Sequence, residues 1–247
     1  MNSSKLGGCV AWIASFSLCF LIHGQGFVNL NFESANLPVI PAGQYGGNVS
    51  ASAALPGWRV FYGTNSAPET AVLHNNATLG TRSLSVFGPY FTDYPIIEGQ
   101  FMPFLQTGFG GSPGASGIVT IEQTGLVPVS AQSLQFKVGI NNQIGVGLDT
   151  NFLVSLNGQT LSLVPLETTA TYATYGVDVT SFAGQVSDLR FTSYGTVIRP
   201  LNWVAVDSFQ FLSTAVPETE HLGLACPRQR AVLVCRTPGQ KQEVTRW

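Results

Sequence analysis

Between Gly26 and Leu212 the chain is cut into apolar stretches of four to nine residues, each bounded by Gly, Asn, Pro or Ser. The stretches are rich in Val, Phe, Leu, Tyr and Thr, and their length suits strands far better than helices. The pattern predicts strands over 27–32, 59–62, 71–74, 83–87, 118–123, 133–140, 152–156, 160–164, 189–193 and 204–212. The sharpest local signal is Asn157-Gly158, which separates two alternating segments in FLVSLNGQTLSLV. Both residues tolerate the positive φ of a type I′ turn, so a hairpin is expected there. Residues 178–184 suit one helical turn capped by Asp178 or Thr180, and no other helix is expected. About ten short strands without crossover helices imply an all-β fold, a two-sheet antiparallel β-sandwich of jelly-roll type. Nothing repeats at a fixed period, which argues against a solenoid or a propeller.

Composition narrows the class. Only 10% of the 247 residues are charged against a usual quarter, while 45% are hydrophobic and 16 are Phe. A disordered polyelectrolyte, a coiled coil and a nucleic-acid binder are excluded by that balance. Residues 25–214 carry five basic groups (Arg59, Arg82, Lys137, Arg190, Arg199) against ten acidic ones, whereas residues 215–247 carry five basic against three acidic. The body is acidic and the tail basic. Cysteines divide the same way: Cys9 and Cys19 lie near the start, Cys226 and Cys235 near the end, and residues 25–214 contain none. Neither disulfides nor a thiolate metal site can therefore hold the body together, and it must fold on its apolar core.

Three segments follow. Lys5 supplies a positive start and residues 9–22 (CVAWIASFSLCFLI) an uncharged apolar run of 14 residues. That is too short to span a bilayer and fits a signal-peptide core. Residues 1–25 are thus read as a signal peptide, with transient membrane contact through it alone. Residues 26–213 form the β-sandwich domain and residues 214–247 the tail. An exported protein of the cell envelope, cell surface or extracellular space is expected.

The opening F-V-N-L-N-F-E of residues 27–33, the L-P-G-W of residues 55–58 and the closing V-A-V-D-S-F-Q-F of residues 204–211 resemble the galactose-binding-like jelly rolls. That group includes many carbohydrate-binding modules of secreted glycosidases. The middle, with Q-T-G-L-V-P-V-S-A-Q-S-L-Q-F (123–136) and Y-G-V-D-V-T-S-F-A-G-Q (175–185), is similar to exported bacterial proteins of organisms with exosortase systems. The tail extends this likeness. Val216, Pro217 and Glu218 stand where PEP-CTERM proteins carry V-P-E-P before an apolar segment, which implies exosortase-type sorting machinery as a partner. Here Thr219 replaces the second proline, and residues 222–234 are broken by Pro227, Arg228 and Arg230. An arginine at mid-bilayer costs about 2.5–3.5 kcal/mol on insertion scales, so this tail should not span a membrane. Either the sorting signal has decayed, or a frameshift has replaced it, or the segment is simply a disordered polar terminus.

The chemistry in the body is sparse. His74 is its only histidine, which excludes a multi-histidine metal centre. Residues 110–114 match G-x-S-x-G, but Pro113 lacks the N–H that a nucleophile elbow aims at the oxyanion, so a turn is expected. No compact pair of catalytic carboxylates stands out, although a secreted glycoside hydrolase or lyase would need only two acids brought together across a cleft. The jelly-roll resemblance implies a structural Ca²⁺ shared by an acid near the end of the first strand and an aspartate on the last. Glu33 and Asp207 occupy those places, with Asn31 as a third ligand. Residues 87–109 hold seven aromatics in 23 positions with Pro and Gly breaks that suggest a loop. Aromatic faces stack on sugar rings, which makes Trp58, Tyr90 and Tyr94 the candidate carbohydrate-binding residues, with Asp93 or Glu98 as hydroxyl acceptors. Core packing is the competing role, above all for Trp58 and Trp203, which adjoin strands. Asn48-Val49-Ser50 and Asn76-Ala77-Thr78 match the glycosylation pattern. The resulting expectation is a non-catalytic surface or matrix protein with affinity for extracellular polysaccharide. The alternatives are a secreted polysaccharide-active enzyme and a purely structural matrix protein.

Overall fold

A computed structural model describes residues 25–78, 81–108, 117–139, 151–195 and 202–217. The signal-peptide reading of 1–24, the G-x-S-x-G of 110–114 and the tail from Glu218 onward lie outside the described residues.

The strands in chain order are β1 (Asn48–Ser50), β2 (Arg59–Tyr62), β3 (Ala71–His74), β4 (Ser83–Phe87), β5 (Met102–Gln106), β6 (Ile118–Leu126), β7 (Ser133–Gly139), β8 (Phe152–Leu156), β9 (Gln159–Thr160), β10 (Val164–Thr168), β11 (Tyr172–Asp178), β12 (Val186–Tyr194) and β13 (Trp203–Leu212). They form two sheets, one of eight strands in the order β1-β3-β4-β5-β13-β7-β11-β10 and one of five in the order β2-β6-β12-β8-β9. Among the described residues the strands pair antiparallel except β3 with β4, and Gly26 adds one isolated parallel bridge to Leu126. This is the all-β jelly-roll sandwich that the strand-length runs predict.

Each sheet turns one face inward, and period-2 alternation decides which residues meet there. In β12 the buried positions are Ser187, Leu189, Phe191 and Ser193, while Arg190 between them stays outside. The inward rings interlock: Phe136 lies 5.2 Å from Phe209, Phe152 lies 5.1 Å from Phe191, and Phe32 lies 5.4 Å from Trp58. Burying one such side chain contributes about 1.5–3 kcal/mol, which is how a body without cystines holds together.

The Asn157-Gly158 turn forms as expected, with φ of 48° and 78° between β8 and β9. Its second arm is shorter than the predicted 160–164 strand. After Thr160 the chain leaves the five-stranded sheet, and β10 pairs with β11 at the edge of the eight-stranded one. The helical turn predicted over 178–184 is a 3₁₀ turn at Thr180–Phe182, with Asp178 Oδ1 accepting the Thr180 N–H at 2.8 Å.

Three expectations are corrected. Residues 27–32 are not a strand, because Asn29 and Phe32 adopt positive φ of 49° and 60°. In place of a neighbouring strand, the Gln123 side-chain amide donates to Val28 O and accepts its N–H at 2.9 and 2.6 Å. The aromatic segment 87–109 is not all loop, since β5 runs through it between β4 and β13 with every residue buried. A short helix α1 (Ala51–Ala54), absent from the expectation, tucks Ala51 and Ala54 into the core.

Candidate functional site

The residues read as calcium ligands do come together. Asn31, Glu33 and Asp207 line one pocket of about 330 Å³, joined by Glu98, Gly99 and Ser208. Glu33 follows the turn at Phe32, and its carboxylate accepts the Gln100 N–H at 2.9 and 3.0 Å and the Phe101 N–H at 3.0 Å. That approach requires Gly99, whose φ is 64° and where a Cβ would collide with the Glu33 carboxylate. Asp207 is buried where β13 shifts register against β7, a bulge in which Ser208 takes φ of 54°. Its oxygens accept the Ser208 N–H at 2.6 Å and the Glu98 N–H at 3.2 Å. Burial pushes the Asp207 carboxyl up to about 7, with the Glu33 charge adding to the rise and the two N–H groups opposing it. Glu98 sits below the usual carboxylate range because Lys137 Nζ and Ser208 Oγ both donate to its Oε2 at 2.6 Å. Every donor oxygen here is hard, which suits a cation of the calcium type. Among the described residues, however, no three His, Cys, Asp or Glu side chains are placed to hold a metal by themselves. An ion in this pocket would need Asn31, carbonyl or water oxygens as well.

The three residues read as sugar-stacking rings do not share a site. Trp58 is 4% exposed, packed between Phe32 and Phe209 with its Nε1–H donating to Asn29 O at 3.0 Å. Both indole faces belong to the core, so the surface role is corrected. Tyr94 stacks on Phe87 at 5.3 Å and leans on Phe104 at 4.9 Å, forming part of a second apolar cluster over the outer face of β4, β5 and β13. Burial, helped by the Asp93 charge, pushes its phenol up to about 12. Tyr90 alone stands free, 62% exposed at a φ of 70°. Nearby, Tyr45 donates from its phenol to Asp93 Oδ2 at 3.0 Å. In the tail motif, Val216 packs over Gly176 and Ser133 Oγ donates to Thr214 O at 2.7 Å, so the segment leading to Pro217 lies against the sandwich.

A cleft of about 540 Å³ opens elsewhere, on the outer face of the five-stranded sheet. Strand register builds it. Arg59 of β2 and Arg190 of β12 both face Glu122 of β6 across their ladders. Glu122 is buried and bonds Arg59 Nη2 through one carboxylate oxygen and Arg190 Nε through the other. Phe61 lies beside them with the Arg59 guanidinium 5.9 Å from its ring centre. Thr64, Asn65, Thr120 and Asp188 complete the polar walls. The cleft therefore presents fixed donors, acceptors and one aromatic ring to solvent.

None of these side chains was singled out from the sequence as a site. A signal existed, since in a chain this poor in charge Arg190 sits mid-strand between Leu189 and Phe191, and Glu122 sits mid-strand after Ile121. Nothing local says that those two positions share a rung.

No protein-family model matches the sequence, and no curated protein does. Among solved structures, the chain is similar to the K1 cleaved adhesin domain of Lys-gingipain from Porphyromonas gingivalis W83, at 10% identity over 70% of this chain and 100% of that one, with a TM-score of 0.37. It is similar to TmCBM27, a carbohydrate-binding module studied for specific mannan recognition, at 12% identity over 68% of this chain and 96% of that one, with a TM-score of 0.35. The enzymatically active domain of bacteriophage CBA120 tailspike protein 4 matches 64% of this chain at 12% identity and a TM-score of 0.34, and the match spans 20% of that chain. Likeness this distant carries no chemistry.

Proposed function

We propose that this chain is an exported, non-catalytic β-sandwich that binds carbohydrate in the cleft of its five-stranded sheet. The observation carrying the reading is the Arg59–Glu122–Arg190 cross-strand row beside Phe61. A glycan offers hydroxyl groups that both donate and accept, together with an apolar C–H face. It is recognised by planar polar side chains held in place and a ring to stack on, and this cleft supplies both. Because Glu122 fixes the two guanidinium groups before any ligand arrives, little side-chain entropy is lost on binding. The volume falls within the range of about 300–1,000 Å³ usual for ligand sites.

Export rests on the Lys5 and 9–22 signal pattern, and sorting by exosortase-type machinery on Val216, Pro217 and Glu218. Calcium is proposed for the separate pocket of Glu33, Asp207 and Asn31, where it would neutralise a buried acid and tie both ends of the domain together. Addition of Ca²⁺ should raise the melting temperature and EDTA should lower it; an unchanged melt removes the ion from the account.

The test of the main reading is glycan-array and affinity-gel binding by the mature chain, beside Phe61→Ala and Asp188→Ala. Retention of at least one polysaccharide is expected, weakened about tenfold or more by Phe61→Ala through loss of stacking. If the wild-type chain retains none, the reading fails. Release of reducing ends from a bound polysaccharide would overturn the non-catalytic part alone.

A further inference from the structure

Three of the five basic residues in the acidic body gather at one place. Arg59 and Arg190 line the cleft, and the Arg82 guanidinium packs over Gly63 at its edge. The acids lining it are Glu122 and Asp188, and only Glu122 has both carboxylate oxygens in ion pairs. Glu122 is 4% exposed with one oxygen on each arginine, and Asp188 Oδ1 accepts the Thr124 hydroxyl. The lining thus balances two arginines against two acids, with Arg82 added at the edge, within a body that carries twice as many acids as bases. Lys137, by contrast, is bound to Glu98 elsewhere.

The way Arg190 is held matters more than the count. It is anchored through Nε, and among the described residues neither Nη1 nor Nη2 has a partner, although its side chain is only 47% exposed. Arg59 is held through Nη2 and is 51% exposed. A guanidinium fixed by one nitrogen cannot swing freely, so its remaining N–H groups keep a set direction. Two parallel donors of that kind fit a planar or tetrahedral oxyanion in bidentate fashion, whereas a single hydroxyl uses one of them.

We infer that the ligand of this cleft carries an anionic group, a carboxylate or a sulfate, so that the polymer bound is an acidic polysaccharide. This rests on the carbohydrate reading above but can fail without it. The buried Glu122 sets the arginines in position and takes no part in contact. The oxyanion sits on Arg190 and the sugar face on Phe61.

The experiment compares affinity for polygalacturonate, its methyl ester, dextran and dextran sulfate at low and high salt. It uses the full mature chain and the variants Arg190→Gln, Arg190→Lys and Phe61→Ala, with circular dichroism to confirm folding. The acidic forms should bind about tenfold or more tightly than their uncharged counterparts, and salt should narrow the gap. Polygalacturonate against dextran sulfate then separates carboxylate from sulfate. Arg190→Gln should abolish the preference, and Arg190→Lys should restore it only in part, because an ammonium lacks the fork. If the methyl ester or dextran binds as well as its acidic partner while Phe61→Ala still weakens it, the anionic inference falls and carbohydrate binding stands. A preference for charged polymer that survives Arg190→Gln also overturns it. Failure of all four polymers to bind overturns the anionic inference, and the carbohydrate reading then stands or falls on the glycan array.

Discussion

The outer faces of the two sheets use their side chains in opposite ways. On the eight-stranded sheet, Phe87 and Phe104 are covered by Phe91, Tyr94 and Ile97 from the segment that leads into β5, giving a small second core. Among the described residues the outer face of the five-stranded sheet has no such cover, and it presents Arg59, Phe61 and Arg190 half-exposed around a buried carboxylate. Aromatic richness therefore marks the closed face, where hydrophobic burial dominates. The open face is marked by a few charges held by one another. Packing makes the first face matter for stability, and orientation is what the proposed recognition on the second would use.

The largest effect should come from opening the closed face. Phe104→Ala removes a ring that is 1% exposed and in contact with Phe87, Tyr94 and Trp203, and it should cost about 3–5 kcal/mol in urea unfolding. Glycan binding by the protein that stays folded should be unchanged. A loss of affinity with intact stability would mean that the two faces are not separate in function.

Next comes Glu122→Gln on the open face. Removing a buried charge partner from a fully buried pair costs several kcal/mol, but solvent screens these half-exposed arginines, so a loss of about 1–3 kcal/mol is expected. Affinity in the cleft should fall along with it, since Arg190 loses its anchor. Retained affinity in titration calorimetry would show that the arginines need no positioning.

The smallest effect is confined to alkaline pH. The folded protein raises the Tyr94 phenol from 10.0 to about 12, so folding favours its neutral form. The stability this gives is complete below pH 10, where the unfolded phenol is also neutral. It is lost progressively as pH rises through about 12. Tyr94→Phe has no such proton to lose, so its melting temperature should decline less than the wild type's between those values. Parallel decline of the two proteins would place Tyr94 outside the closed face.

How much could be read in advance differs by feature. The Asn157-Gly158 turn was legible because its positive φ values depend on two adjacent residues. Strands such as β2, β3, β4 and β8 were legible because their apolar runs and their breaks are local. The strand expected at 27–32 failed because Gln123, 95 positions away from Val28, offers its amide in place of a neighbouring strand. Asn31, Glu33 and Asp207 are legible only through the jelly-roll likeness, and the fold does gather them in one pocket. The Trp58 ring suits sugar stacking by its chemistry, and the fold buries that ring.

Chain chemistry alone set the layered β architecture and its reliance on an apolar core, because side-chain period and turn preference act over a few residues. Tertiary structure decided which rings are hidden and that Arg59, Glu122 and Arg190 share a row. Such matters hang on strand order and register, which join positions 63 and 68 residues apart, and no short-range preference encodes them.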